Sequence, residues 1–346
     1  MNQKSILLIG NHLSIDRVNK NVWHYMAEKL SARGWQVITT SSQQNQALRL
    51  LDMLSTVYTQ RHEYVLAQID VFSGKAFIYA EACSQLLKWL GKPMVLTLHG
   101  GGLPEFAAKH PVRVKRLLQR ADAIVTPSPF LQNSLREYAP DIRLINNPID
   151  ISQGIYRQRS AVQPKLIWVR AFHEIYNPEM ALKVLAGLLS EFPESHLTMI
   201  GPVKSHACMQ SVRTLAKELH VEDHLEIITG VPHAEVSKFL DKADIFLNTS
   251  NYDTAPRSIL EAMLNGLCVV STNVGGIPYL GTNNQEFLLV PPGDHLAMAN
   301  AIRRVLTKPE LASRLSSNAH KKAEQDDWGI ILPIWEDLFL QIVNHG

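Results

Sequence analysis

The stretch Ile245–Leu280 reads IFLNTSNYDTAPRSILEAMLNGLCVVSTNVGGIPYL, and its pattern indicates how the chain around it folds. Ile245–Leu247 is a short apolar run typical of a buried strand, and Asn248–Ala255 is polar and turn-prone. Ser258–Gly266 has apolar residues at helical spacing and a glycine as the stop, and Leu267–Ser271 predicts a second buried strand. Two buried strands joined by a helix indicate a parallel α/β sheet.

The predicted start of this helix has the donors of an anion site. Pro256 stands where a first helical residue is favoured. The free N–H groups at Arg257 and Ser258 lie at the positive end of the helix dipole, and both side chains add donors suited to phosphate. Gly275-Gly276, after the second strand, lets the backbone bend where a Cβ would intrude.

Two carboxylates, Asp253 and Glu261, flank this helix start eight positions apart. Carboxylates accept paired hydrogen bonds from vicinal diols, as sugars and riboses present them. One acid on a hexose, one on a ribose and a diphosphate between them describe a nucleotide sugar. For two acids at arbitrary spacing the plainer alternative is favoured, in which Asp253 caps the helix and Glu261 is solvated.

The full sequence of this stretch is more specific than the spacing of its two acids alone. It resembles the C-terminal donor-binding motif of the retaining family 4 glycosyltransferases (glycosyl transferases group 1), written E-x7-E and followed by E-A-M-A-x-G-x-P-V-V and a Gly-Gly turn. This chain has Asp253-x7-Glu261 and then EAMLNGLCVVSTNVGGIP. Its first acid is Asp, one methylene shorter than the Glu of the family.

Length and composition indicate a two-domain globular protein. The chain has 346 residues, which is too long for one ordinary α/β core; 46% are apolar and 19% are charged. No segment approaches the roughly 18–20 uncharged apolar residues that span a bilayer, and the N-terminal apolar run is too short for a signal peptide. Three widely spaced cysteines without a CxxC fit a reducing compartment. We therefore expect a cytoplasmic protein.

Strands alternate with helices on both sides of this stretch, as in doubly wound parallel sheets. Asn146–Pro164 interrupts the pattern and gathers Pro, Asn, Gly and Gln, which indicates an interdomain linker. The last predicted helix, about Trp328–Val343, is amphipathic. The other predicted strands are Ser5–Ile9, Gln36–Thr40, Tyr64–Ile69, Pro93–Leu98, Ala123–Thr126, Ile142–Ile145, Leu166–Val169, His196–Ile200, Leu225–Ile228 and Phe287–Val290.

The resemblance implies the GT-B fold, an α/β architecture of two doubly wound Rossmann-like domains facing a central cleft, with a C-terminal helix crossing back. Trp328 fits the start of that helix. We expect an acceptor-side domain over residues 1–150, a linker over 151–164, a nucleotide-sugar-binding domain over 165–326 and the returning helix over 327–346.

The resemblance also implies roles for individual residues. His99, at the end of a predicted strand, would contact the transferred sugar, and Gly100 would let the backbone approach oxygen atoms. Arg170 would clamp the diphosphate, but the Lys that follows in the family is missing; Tyr176-Asn177 lies near its place. The remaining expected donor-binding positions are the base-binding turn at Gly230 and Val231, the loop and helix start at Ala255, Pro256, Arg257 and Ser258, and Asn11.

Charge is uneven along the chain. Residues 1–150 hold 17 Lys and Arg against 11 Asp and Glu, whereas residues 151–346 hold 17 against 21. The first half is therefore expected to face something anionic, such as a membrane surface or a charged acceptor. KHPVRVKRLLQR predicts a basic helix that is either a solvated face or a contact with anionic lipid headgroups, through Lys109, Arg113, Lys115, Arg116 and Arg120.

The expected function is that of a retaining, metal-independent glycosyltransferase. It would move a hexose-type sugar from a UDP or GDP sugar to a glycan or lipid-linked acceptor in cell-surface polysaccharide or glycolipid synthesis. Asp253 would contact the hexose, Glu261 the ribose, and the leaving phosphate would take the acceptor proton. No metal, cofactor or nucleic acid is expected. The missing Lys and the shortened acid leave two alternatives open, a sugar-nucleotide-binding protein with weakened catalysis and a GT-B sugar-nucleotide epimerase.

Overall fold

The computed structural model describes residues 4–10 and 22–345, which fold into two compact units. The first unit holds the chain up to Pro148 together with the residues from Trp328 onward, and the second is Ile149–Asp327. Each unit is built around one parallel six-stranded sheet. The α/β fold class predicted from the sequence is therefore confirmed.

The sheet of the first unit has the strand order β2-β1-β3-β4-β5-β6, so the order reverses between β1 and β3. Alternate residues of each strand face opposite cores: Leu7 and Ile9 of β1 face one, and Ile6 and Leu8 face the other. The strands are β1 (Ser5–Ile9), β2 (Gln36–Thr40), β3 (Leu66–Val71), β4 (Met94–Leu98), β5 (Ala123–Thr126) and β6 (Ile142–Leu144). The connecting helices are α1 (Val22–Ala32), α2 (Gln46–Thr59), α3 (Phe77–Trp89), α4 (Leu103–Lys109), α5 (Pro111–Leu118) and α6 (Pro129–Ser134).

The sheet of the second unit has the order β12-β11-β10-β7-β8-β9 and reverses between β7 and β10. In open α/β sheets the carboxyl ends of the strands form a ligand crevice at such a reversal. The strands are β7 (Lys165–Val169), β8 (His196–Ile200), β9 (Leu225–Ile228), β10 (Ile245–Asn248), β11 (Cys268–Thr272) and β12 (Phe287–Val290). The helices are α7 (Pro178–Leu189), α8 (His206–Glu218), α9 (Val236–Lys242), α10 (Arg257–Leu264), α11 (His295–Thr307) and α12 (Pro309–Ala323).

The last helix, α13 (Trp328–His345), returns to the first unit, as the resemblance implied. Trp328, Trp335 and Phe339 are buried in the same core as Ile6 and Leu8, so α13 covers one face of the first sheet. Within the part of the chain that the structure describes, no helix combines the length and apolar content needed to cross a membrane.

The stretch expected as a linker is instead an integral part of the second unit. Arg159 is 1% exposed, and its guanidinium donates to the backbone oxygens of Asn265, Leu240 and Ala243. Those oxygens lie at the carboxyl ends of α10 and α9, where a helix leaves carbonyl groups without partners. Ile149 N–H also donates to Asp326 O at 2.9 Å, so the first and last residues of the unit are paired.

Two local predictions were wrong, each at a proline. The single basic helix is divided, because α4 ends at Lys109 and Pro111 begins α5; proline has no N–H to continue the first helix. Pro256 is not the first helical residue: it keeps an extended backbone (ψ 109°) in the N-cap position, and α10 begins at Arg257.

Candidate functional site

Arg170 lies at the reversal of the second sheet, directly after β7. Its Nη2 donates to Asp253 Oδ2, and its Nε lies 3.5 Å from the Oδ1 of Asn248, the last residue of β10. The ring of Tyr176 lies 5.1 Å from the guanidinium carbon. The predicted sugar acid and the predicted phosphate-binding arginine are therefore one ion pair, and each side chain is 14% exposed.

The Gly-Gly turn holds the loop that carries Asp253. A Cβ on Gly275 would lie 2.0 Å from Asp253 O, and φ there is +53°. The N–H of Gly276 donates to the same oxygen at 2.9 Å. The close approach predicted for this glycine pair is thus present, and its partner is the backbone of the acid.

Asp253 does not cap the helix, so that part of the plainer alternative is excluded. Its Oδ1 accepts from the N–H of Thr254 at 2.8 Å and its Oδ2 from Arg170. The N-cap position of α10 belongs to Pro256, which makes no side-chain capping bond. The carboxylate therefore faces the arginine rather than the helix start.

Residues that were not predicted from the sequence join the loops after β7 and β10. Thr249 Oγ1 accepts from Trp168 Nε1 at 2.9 Å and donates to Tyr176 O at 2.8 Å. The N–H of Asn251 donates to Ile175 O at 2.8 Å. These hydrogen bonds therefore join the two loops that carry Arg170 and Asp253. The sequence signal that could have identified Thr249 is its place as a polar residue directly after the buried strand β10.

Two further residues shape this edge of the sheet. A Cβ on Gly201, directly after β8, would lie 1.8 Å from Arg170 O, so only glycine lets the two strand ends approach. Glu174, in the loop after β7, accepts from Ser205 Oγ at 2.5 Å. That hydrogen bond lowers the pKa of the Glu174 carboxyl.

The start of α10 presents unpaired donors. Ser258 is 9% exposed, and its Oγ has no hydrogen-bond partner among the residues that the structure describes. Arg257 Nε is likewise buried without one. The first N–H groups of the helix also lack intrahelical acceptors. Ala255 and Pro256 lie directly before these donors, Ala255 half-buried and Pro256 buried.

Glu261 lies between the side chains of Arg257 and His233 and is not a solvated acid. Its Oε1 lies 3.4 Å from Arg257 Nη2 and 3.2 Å from His233 Nε2, and the side chain is 17% exposed. His233 ends the turn that contains Gly230 (φ +77°) and Val231. The structure therefore brings the expected base-binding turn next to the expected ribose acid.

His99 and Gly100 belong to the first unit and follow β4. The ring of His99 stacks on Phe72 with 5.3 Å between centroids and meets Trp23 edge-on at 6.1 Å. Its Nε2 lies 3.3 Å from Asp70 Oδ1. Gly100 has φ +80°, which glycine adopts without strain. Asn11 lies outside the described residues.

Three of the five basic residues considered for lipid contact have partners within the first unit. Lys109 Nζ lies 2.6 Å from Glu105 Oε1, Arg113 pairs with Glu81, and Arg120 donates to Glu81 O and Ser84 Oγ. Pairing to acids reduces the charge that Lys109 and Arg113 offer to an anionic surface.

No group of three or more His, Cys, Asp or Glu side chains gathers as metal ligands would within residues 4–10 and 22–345. The expectation that no metal is needed stays a prediction.

Two family models match this chain, one in each half, and the boundary between the two matches lies close to the boundary between the two units. Residues 20–153 match the family described as Glycosyltransferase Family 4, and residues 157–322 match Glycosyl transferases group 1. The glycogen synthase of Mycobacterium tuberculosis is 23% identical over 286 residues, which are 78% of this chain and 68% of that protein. A D-inositol 3-phosphate glycosyltransferase of Corynebacterium glutamicum is 27% identical over 154 residues, 44% of this chain and 37% of that protein.

Solved structures share the fold over the whole chain. Sucrose-phosphate synthase from Thermosynechococcus elongatus has a TM-score of 0.84 at 20% identity and covers 99% of this chain and 100% of its own. Anabaena HepE in complex with UDP-glucose has a TM-score of 0.79 at 16% identity, covering 97% and 99%. Together with the family matches over both halves, these likenesses lead to one conclusion: the chain belongs to the family 4 glycosyltransferases, the glycosyl transferases group 1, and has their GT-B fold.

Proposed function

We propose that the second unit binds a nucleotide diphosphate sugar and that the enzyme transfers the sugar, with retention of anomeric configuration and without a metal ion, to a glycan or lipid-linked acceptor. One observation carries the proposal. At the carboxyl edge of the second sheet, two acids flank a helix start whose buried donors have no partners among the described residues. Assembly of a cell-surface polysaccharide or glycolipid is the setting we propose.

The diphosphate is assigned to the start of α10 on the chemistry of its donors. Ser258 Oγ and Arg257 Nε are buried groups that can only gain from an acceptor, and the phosphate oxygens of a diphosphate are strong acceptors. The helix dipole favours the same negative charge. Arg257 thereby offers a second guanidinium, in addition to Arg170, that could compensate for the missing lysine.

The two acids are assigned to the two sugar rings. Glu261 lies beside the Gly230–His233 turn, which suits the ribose next to the base. Asp253 lies beside Arg170, which suits a hexose joined to the diphosphate. When the donor binds, Arg170 would share its planar donors between Asp253 and a phosphate oxygen, since a guanidinium can serve two anions at once.

The chemistry proposed rests on charge stabilisation and positioning. Negative charge develops on the leaving diphosphate as the bond to the sugar breaks. Arg170, Arg257 and the helix N–H groups are fixed donors aimed at that charge, and preorganised donors of this kind are commonly the largest catalytic contribution. The leaving phosphate would accept the proton of the attacking hydroxyl, as the resemblance to retaining enzymes implies.

The first experiment is a panel of UDP, GDP and ADP sugars in a thermal-shift assay, beginning with UDP-glucose because HepE was solved with it. Ligand at 100 times its Kd adds about 2.7 kcal/mol to the free energy of unfolding. That is a rise of about 5–10 °C in the Tm of a unit of this size. No shift with any nucleotide sugar would refute the proposal.

Turnover is tested next with the donor that binds, a panel of sugar acceptors and a chelator. Asp253→Ala should abolish most transfer while the fold is retained, and unaltered turnover would exclude the assigned role of Asp253. NMR of the product anomer tests retention, and full activity in EDTA tests metal independence. Binding without transfer or hydrolysis would favour the weakened binding protein instead.

A further inference from the structure

Beside His99 lies a buried carboxylate, that of Asp70, to which no role has been assigned above. Asp70, in β3, has a side chain that is only 3% exposed, and its Oδ1 lies 3.3 Å from His99 Nε2. Gln68 Nε2 donates to the same Oδ1 at 3.0 Å and to Thr97 Oγ1 at 2.8 Å. Side chains of β3 and β4 therefore hold the carboxylate in one orientation, facing the imidazole.

The backbone of the neighbouring strand leaves room for this carboxylate. A Cβ on Gly10, directly after β1, would lie 2.5 Å from Asp70 Oδ2. Gly10 cannot easily move away, because its N–H donates to Thr40 O at 2.9 Å and its oxygen accepts from Ser41 N–H at 3.0 Å. Only a residue without a side chain at this position therefore leaves room for the Asp70 carboxylate, which lies where the strand order of the first sheet reverses.

The imidazole is held in place as well. Phe72 stacks on one face of the His99 ring, and Trp23 meets the ring edge-on. Nε2 is buried and has no aligned hydrogen bond in the described part of the chain, although Asp70 lies at ion-pair distance. A small rotation of the ring between its aromatic neighbours would align the two groups, as happens when catalytic hydrogen bonds tighten on substrate binding.

The chemistry of the pair determines the tautomer. An ionised carboxylate only accepts hydrogen bonds, so the ring nitrogen that faces Asp70 must carry a proton. In the neutral ring, Nδ1 then has the free lone pair. We propose that Asp70 is a positioning residue that fixes His99 as the Nε2–H tautomer, so that Nδ1 accepts a hydrogen bond from a hydroxyl group of the transferred sugar. This inference rests on the proposed function, in which His99 contacts that sugar.

The tautomer is measured on the ligand-free protein, independently of activity. The imidazole ¹⁵N chemical shifts of His99, assigned by their disappearance in His99→Gln, should show a protonated Nε2 and an unprotonated Nδ1. Asp70→Asn places an amide opposite Nε2 and should shift the proton toward Nδ1. Asp52→Asn is the matched control, because Asp52 contacts Thr40 in the same unit, and it should leave the spectrum unchanged. A wild-type Nδ1–H tautomer, or an unchanged spectrum in Asp70→Asn, would overturn the proposal.

Kinetics then separate positioning from a purely structural role. With the nucleotide sugar that the wild-type enzyme uses, Asp70→Asn should lower kcat on the order of tenfold or more. The donor KM and the Tm should stay close to wild type. A fall that follows Tm alone, or an unaltered kcat, would overturn the positioning role. If no nucleotide sugar binds at all, the proposed function fails while the tautomer experiment still decides whether Asp70 orients His99.

Discussion

Ser258 has a buried hydroxyl that the free protein leaves without a partner in its described part, which costs stability. A buried polar group without a hydrogen bond costs about 1–3 kcal/mol relative to one that is satisfied. Such a group persists where a ligand completes it. Stability and affinity should therefore respond in opposite directions when this hydroxyl is removed.

Ser258→Ala should leave the Tm of the free protein unchanged or raise it, and should weaken nucleotide sugar binding by about tenfold. Titration calorimetry and a melting curve measure the two effects. Ser316→Ala is the matched control, since Ser316 Oγ accepts from Arg159 N–H and donates to Gly266 O. The control should lower the Tm and leave the Kd unchanged; a lower Tm in Ser258→Ala would contradict the assignment of its hydroxyl.

Cys83 and Cys268 are fully buried in separate units, and burial raises the pKa of each thiol to about 12. The unfolded thiols titrate near pH 9. Because the folded-state pKa is raised, the contribution of these thiols to stability is fully present below pH 9. It is lost as the pH rises toward 12, since the unfolded chain then releases protons that the folded chain keeps.

Native protein at pH 8 should therefore react slowly with a thiol reagent, and denatured protein should react rapidly at all three cysteines. Urea unfolding between pH 8 and 10.5 should show a steeper loss of stability in the wild type than in Cys83→Ala/Cys268→Ala. Equal slopes would show that other groups account for the alkaline instability.

Among the elements, the loop between β10 and α10 depends on the turn after β11. Gly275 touches the Asp253 backbone so closely that a methyl group would collide with it. The turn thus sets the position of the acid, although the two residues are 22 positions apart in the sequence.

Gly275→Ala should displace Asp253 and reduce transfer strongly. Gly293→Ala is the control, because Gly293 also has a positive φ (+75°) but no atom within 4 Å of its Cβ position. Each substitution imposes backbone strain of about 1–2 kcal/mol, so the two Tm values separate strain from collision. Equal activity in the two variants would refute the dependence.

The elements themselves could be predicted from local signals. Buried strands of the second unit, such as His196–Ile200, have the predicted bounds because apolar runs between turn residues leave few other solutions. The helix α6 was not predicted, because six residues with one buried leucine carry little periodicity. The resemblance to the family motif identified Asp253, Glu261 and Arg170 as site residues. It did not reveal that Arg170 pairs with Asp253, or that Glu261 lies beside Arg257 and His233.

Contacts between distant residues were the part that sequence patterns missed. Asp70 directly follows the predicted strand Tyr64–Ile69, and its partner His99 is 29 positions later. The contact exists only because β3 and β4 are adjacent in the sheet. The same holds for Gly201 and Arg170, which β7 and β8 bring together.

For the molecule as a whole, Arg159 decides how far the second unit extends. Its buried guanidinium satisfies carbonyl groups at the ends of two helices, and Asp244, 3.6 Å from Nε, supplies the balancing charge. The segment before β7 is irregular in structure but rigidly bonded. Polar, Pro-rich composition predicted a linker because composition does not reveal that one arginine is buried.

Arg159→Met should lower the free energy of unfolding of the second unit by about 3–5 kcal/mol, because it leaves Asp244 and several carbonyl groups unpaired. Arg157→Met is the control: Arg157 also contacts Asp244, but its side chain is 45% exposed, so a smaller loss is expected. In calorimetry, this loss of stability should appear in the unfolding transition whose Tm rises when the nucleotide sugar binds. Equal losses in the two variants would contradict the structural role of Arg159.

The bond between Ile149 and Asp326 has a practical consequence for protein engineering. The polypeptide passes between the two units after Pro148 and again after Asp327. Because Ile149 is hydrogen-bonded to Asp326, the two ends of the second unit are held next to each other within that unit. A fragment of residues 149–327 should fold in isolation, whereas one begun at residue 165 should not. Joining residues 149 and 327 of this fragment by a short peptide, and opening the chain at an exposed turn, should yield a circular permutant of the second unit that still folds.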